Sequence, residues 1–69
     1  METCDYLVIW HIYQVVDGVQ CLDRSFEENI QCYPIEVADK IDIETIELVK
    51  FEEKSHGKVN VIVHSVVKL

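Results

Sequence analysis

Residues 6–16 alternate apolar side chains on both faces and run straight into Asp17-Gly18, and this pairing constrains the fold more than any other stretch. Neighbouring residues of a strand point to opposite sides. Leu7, Ile9, His11, Tyr13 and Val15 therefore share one face, and Tyr6, Val8, Trp10, Ile12 and Val16 share the other. Both faces are largely apolar, which suits a central strand covered from two sides. Asp-Gly supplies the positive φ angles of a tight hairpin turn, so the chain is expected to fold straight back. A second strand is predicted over residues 19–26. Gln20, Asp23 and Arg24 make it the more polar of the two, as an edge strand requires.

The next segment admits two readings. Ser25 and Glu28 match a capping box, which predicts a helix over residues 26–33 stopped by Pro34. Alternatively, Pro34 occupies the first helical position, where its missing N–H costs nothing. Ile35, Ala38 and Ile41 then form an apolar stripe, with Glu36, Asp39 and Lys40 toward water. The second reading, a helix over residues 34–41, is preferred because the capping-box pattern is short and common by chance.

From Ile43 the alternation resumes. Thr45, Glu47, Val49 and Phe51 fall on one side and Ile46, Leu48 and Lys50 on the other, which predicts a third strand. Glu52, Glu53 and Lys54 would extend it beyond the core, and Ser55-His56-Gly57-Lys58 would turn the chain. A last strand is predicted over residues 59–67. The expected fold is α+β: a four-stranded, antiparallel-rich sheet in the order ββαββ, with one short helix covering one face. The first and last strands are the most apolar and are expected side by side at the centre. An eight-residue helix is only about 12 Å long, so one face of the sheet would lack a cover and invite an interface.

Sixty-nine residues, 49% of them hydrophobic, fit one domain spanning residues 1–69. The net charge is −7, and the six cations Arg24, Lys40, Lys50, Lys54, Lys58 and Lys68 are scattered among carboxylates. Direct binding to nucleic acid or to an anionic membrane needs clustered cations and is not expected. A basic surface on a protein partner is the natural complement. The acidic N-terminus lacks the positive region of a signal peptide, and the apolar run is about half a membrane span, so a cytoplasmic protein is expected. Cys4, Cys21 and Cys32 show no framework spacing and read as reduced thiols.

Neither catalysis nor metal binding is expected. No Cys or His lies in a nucleophile signature, there is no Cys-x-x-Cys or His-x-x-x-His, and candidate ligands are spread over the chain. No cofactor is implied. His11 and His64 lie in the two central strands and could approach each other, but an ordinary half-buried role is the plainer reading. The acids Glu27, Glu28, Asp42, Glu44, Glu47, Glu52 and Glu53 cluster around the middle of the chain. On a strand, Asp42 and Glu44 would stand about 6.6–6.8 Å apart on one face, close to phosphate spacing, although a solvated acidic face that maintains solubility is the preferred reading.

The functional expectation is a small acidic module that binds a protein partner, as adaptor or inhibitor, by occluding the partner's basic surface. Trp10 and Tyr13 would anchor the contact, and Asp42, Glu44, Glu47, Glu52 and Glu53 would supply the charge. A homodimer is expected to cover the bare face. By analogy of size alone, such modules are often encoded by viruses and mobile elements. Two other readings are a nucleic-acid mimic that blocks a DNA- or RNA-handling enzyme, and a structural subunit of a larger assembly.

Overall fold

A computed structural model describes residues 2–69 as two long strands, a helix and a third strand. Strand β1 is Cys4–Val16 and β2 is Val19–Cys32. A single 3-10 turn, Pro34–Glu36, leads into α1, Val37–His56, and β3 is Val59–Lys68. The strands form one antiparallel sheet in the order β2-β1-β3. The class is α+β as expected, but the four-stranded ββαββ sheet is wrong. The described residues form three strands, and residues 43–51, expected as a strand, lie inside α1.

The physical reason is that a short apolar window carries both periodicities. Ile43, Thr45, Ile46 and Val49 are β-branched and mimic a strand. Read with a period near 3.6, Ile41, Thr45, Leu48 and Glu52 form one stripe, and these four side chains are buried or half-buried against the sheet. No glycine or proline interrupts the chain between Pro34 and Gly57, the start and stop signals of one long helix. Gly57 takes φ 75°, and its N–H donates to the Glu53 carbonyl at 3.2 Å. It closes a helix rather than a hairpin. Twenty residues make α1 about 30 Å long. The helix expected over 34–41 thus begins in the right place and ends too early. Residues 26–32 of the alternative helix over 26–33 belong to β2, where Ser25 and Glu28 cap nothing.

The first turn is as the sequence predicts. Asp17 and Gly18 both have positive φ, 51° and 78°, and join Val16 to its ladder partner Val19. β1 is central and pairs with β3, as expected, but β3 lies at an edge. Asp23 is an extra residue in β2, between the Tyr13–Leu22 and Ile12–Arg24 pairs. His64 is a second bulged residue, in β3 between the Trp10–Val63 and Ile9–Ser65 pairs.

The core lies between α1 and one face of the sheet. Tyr6, Val8, Trp10 and Ile12 alternate inward from β1; the first three pack with Ile30, Cys32 and Ile41, and Ile12 and Val59 are buried as well. Trp10 is fully buried. Its indole N–H donates to Thr45 Oγ1 at 2.8 Å, and that hydroxyl donates to the Ile41 carbonyl at 2.7 Å. A threonine in mid-helix is thereby accounted for: it relays a buried donor to the helix backbone. On the opposite face Leu7, Ile9, His11, Tyr13 and Val15 stay half-buried, and no further element among the described residues lies over them. The molecule measures 48 × 18 × 15 Å, and its radius of gyration is 13.3 Å, against about 11 Å for a compact chain of this length.

Candidate protein-binding surface

A groove of about 300 Å³ lies between α1 and the stretch of β2 that holds Arg24 and Phe26. Ile12 and Phe26 from the sheet and Leu48 and Phe51 from the helix supply its apolar lining. Glu44 and Glu47 bring carboxylates to it from one flank of α1. Phe51 is 64% exposed, a large aromatic surface left in water at the groove. The Phe26 ring also meets Trp10, with centroids 5.7 Å apart, so the wall of the groove is continuous with the core.

Arg24 and Glu52 join across the groove. Arg24 Nη2 donates to Glu52 Oε1. The Glu52 side chain is 1% exposed and that of Arg24 is 44% exposed. A carboxylate this deeply buried requires its counter-charge, so the pair pins β2 to the C-terminal half of α1. Asp23 approaches the same guanidinium at 4.0 Å. Farther along β2, Glu28 faces α1, and its Oε2 is buried without a hydrogen-bond partner. Burial, and then the adjoining carboxyl of Glu44, hold the Glu28 pKa above the usual glutamate value. Keeping the proton converts one oxygen of the pair from acceptor to donor.

The residues singled out from the sequence are divided among different surfaces. Glu44, Glu47 and Glu52 come together at the groove, but Glu52 is buried and neutralised by Arg24. Asp42 and Glu53 are exposed on α1 outside the groove lining. Tyr13 lies on the bare face of the sheet. Trp10 has no exposed surface. The phosphate-like spacing of Asp42 and Glu44 disappears with the strand that would have produced it, since residues two apart on a helix do not share a face. Phe26, Leu48, Phe51 and Arg24 escaped the sequence reading. The i, i+4, i+7 spacing of Glu44, Leu48 and Phe51 was the signal available, had residues 43–51 been read as helix.

His11 and His64 do meet. Their rings stack on the bare face with centroids 4.1 Å apart, and Tyr13 lies edge-on to His11 at 6.3 Å. The three cysteines are free thiols, Cys32 buried and Cys21 exposed. Among the described residues no three His, Cys, Asp or Glu side chains converge as metal ligands, and no helix is long and apolar enough to cross a membrane. No family model, curated protein or solved structure matches the chain.

Proposed function

We propose that this chain is a small acidic protein-binding module that occludes a basic surface on its partner, with the groove between α1 and β2 as the point of contact. One observation carries the reading. The groove is lined by apolar side chains and edged by Glu44 and Glu47, while Arg24, the one cation that lines it among the described residues, is already held by Glu52. A segment that suits this chemistry presents an apolar side chain flanked by lysine or arginine. The apolar anchor would contribute about 1.5–3 kcal/mol on burial. The flanking cations would speed encounter with a chain of net charge −7. The mechanism is steric, since a partner surface seated against the groove is closed to other ligands.

The test uses the intact chain as bait at low and high salt, beside two variants, Glu47→Lys and Phe51→Ala. Both positions are exposed, so neither change should disturb folding. The proposal expects one partner retained at low salt by the wild type, weakened by salt, and lost with either variant. A partner that both variants retain equally would place the contact elsewhere.

A further inference from the structure

The sheet has two free edges, β2 and β3. A free edge carries a row of unpaired backbone N–H and C=O groups, and soluble monomers blunt such edges with charges, proline or bulges. β2 follows that rule, with Asp23, Arg24, Glu27 and Glu28 along its length and a bulge at Asp23. β3 departs from it. Residues 59–67 contain no Lys, Arg, Asp, Glu or Pro. Its blunting features are the bulge at His64 and Lys68 at its last position.

The side chains of β3 point the same way as its backbone chemistry. Ile62 and Val67 pair with His11 and Leu7 on the bare face, while Val63 and Val66 pair with Trp10 and Val8 on the α1 side. All four are exposed, by 37–51%. Apolar residues scattered singly over a surface are ordinary. Four within six residues, wrapped around both faces of one open strand, form a seam.

We propose that β3 pairs antiparallel with β3 of a second copy of this chain, joining two three-stranded sheets into one six-stranded sheet. The occupant of this edge must be extended, uncharged over about nine residues and apolar on both faces, to match what β3 offers. β3 meets that description itself, and an antiparallel twofold pair sets the same segment against its own copy. The net charge of −7 is no obstacle at this place, because the seam holds no carboxylate. The nearest charges within the strand and its entry, Lys58 and Lys68, lie at the two ends of the ladder, where they remain solvated. The bulge at His64 adds local twist, so the paired ribbon is twisted rather than flat. The dimer leaves both α1–β2 grooves free at the outer edges of the joined sheet. It does not depend on the reading of those grooves.

Sedimentation equilibrium of the full chain tests the pairing, with hydrogen exchange as a second readout. The expected species is a discrete dimer of the 8.1 kDa chain. Ile62→Lys and Val67→Lys place a charge in the seam, and each is expected to raise the dimer Kd about 100-fold, with far-UV circular dichroism reporting the fold. Glu27→Lys alters the opposite edge and is expected to leave the Kd within about threefold. In the wild type, the outward amides of β3 are expected to exchange as slowly as those of β1, and those of β2 faster. That pattern is readable even if a lysine variant fails to fold. A chain that stays monomeric up to about millimolar concentration would overturn the proposal. So would rapid exchange along β3, equal sensitivity to Ile62→Lys and Glu27→Lys, or association that grows without limit. None of these results bears on partner capture by Glu47→Lys, so the two proposals fail separately.

Discussion

β2 and β3 flank the same central strand and contact the same helix, yet they hold it by different means. Ile30 and Cys32 at the far end of β2 pack with Ile41 of α1, but the rest of the contact runs through charged groups, with Arg24 donating to Glu52 and Glu28 set against Glu44. β3 contains a single charge, Lys68, in ten residues and meets α1 through aliphatic packing, with Val59 buried and Val61 packed on the core. Apolar contact is non-directional and draws surfaces together. Charged groups must keep partners or water and so hold surfaces at a set distance. The groove accordingly lies where β2 meets α1 through Arg24 and Glu52, and it ends farther along the strand, where Ile30 and Cys32 of β2 pack with Ile41 of α1.

That contrast is open to direct attack. The largest effect is expected at the β2 tie. Arg24→Met leaves the Glu52 carboxylate buried and unpaired, and should lower the unfolding free energy in urea by about 2–3 kcal/mol, discounted because Arg24 is itself partly exposed. Adding Glu52→Leu should restore most of the loss, since an apolar pair of similar size replaces the ions. A double variant no more stable than Arg24→Met alone would show that the ion pair is not what seats α1 on β2.

A smaller change is expected on the other side. Val61→Ala removes two methyl groups from a half-buried position of β3 and should cost about 1 kcal/mol by the same urea measurement. If it costs more than Arg24→Met, the assignment of polar and apolar roles to the two edges is inverted.

Glu28→Gln should give the smallest effect, and one that depends on pH. The folded-state pKa of Glu28 is raised, chiefly by burial. Below the ordinary value of 4.5 the carboxyl is protonated in both folded and unfolded chains, and its contribution to stability is fully present. As pH rises through the raised folded value, the unfolded chain has already released its proton, and that stability is lost. Glutamine imitates the protonated form. Stability curves for the variant and the wild type should coincide in acid and separate toward neutral pH, with the variant the more stable there. A gain of equal size at every pH would remove the titration from the explanation.

Some parts of the molecule are legible from local residues alone. Asp17-Gly18 defines the hairpin because both residues accept positive φ, a property of the dipeptide rather than of its surroundings. The alternation of β1 shows a strand apolar on both faces, and the apolar character of residues 59–67 places β3 beside it. The approach of His11 and His64 follows once β1 and β3 are neighbours. Residues 43–51 were misread because four β-branched residues in a short window satisfy a period of two and a period near 3.6 alike. The segment becomes a helix through its length between Pro34 and Gly57, and through the burial of its stripe against Trp10 and Ile12.

By itself the amino-acid sequence determined the turn, the identity of the central strand, the α+β class and the acidic balance, because each depends on residues adjacent in the chain or on simple sums. Tertiary structure alone decided that Trp10 is core, that Glu52 is buried and paired, and that a groove lies beside β2. The Trp10–Thr45 bond spans 35 positions and the Arg24–Glu52 pair spans 28. No local rule connects residues so far apart. They meet because α1 packs across one face of the sheet, and its placement there is settled by the packing of the whole molecule.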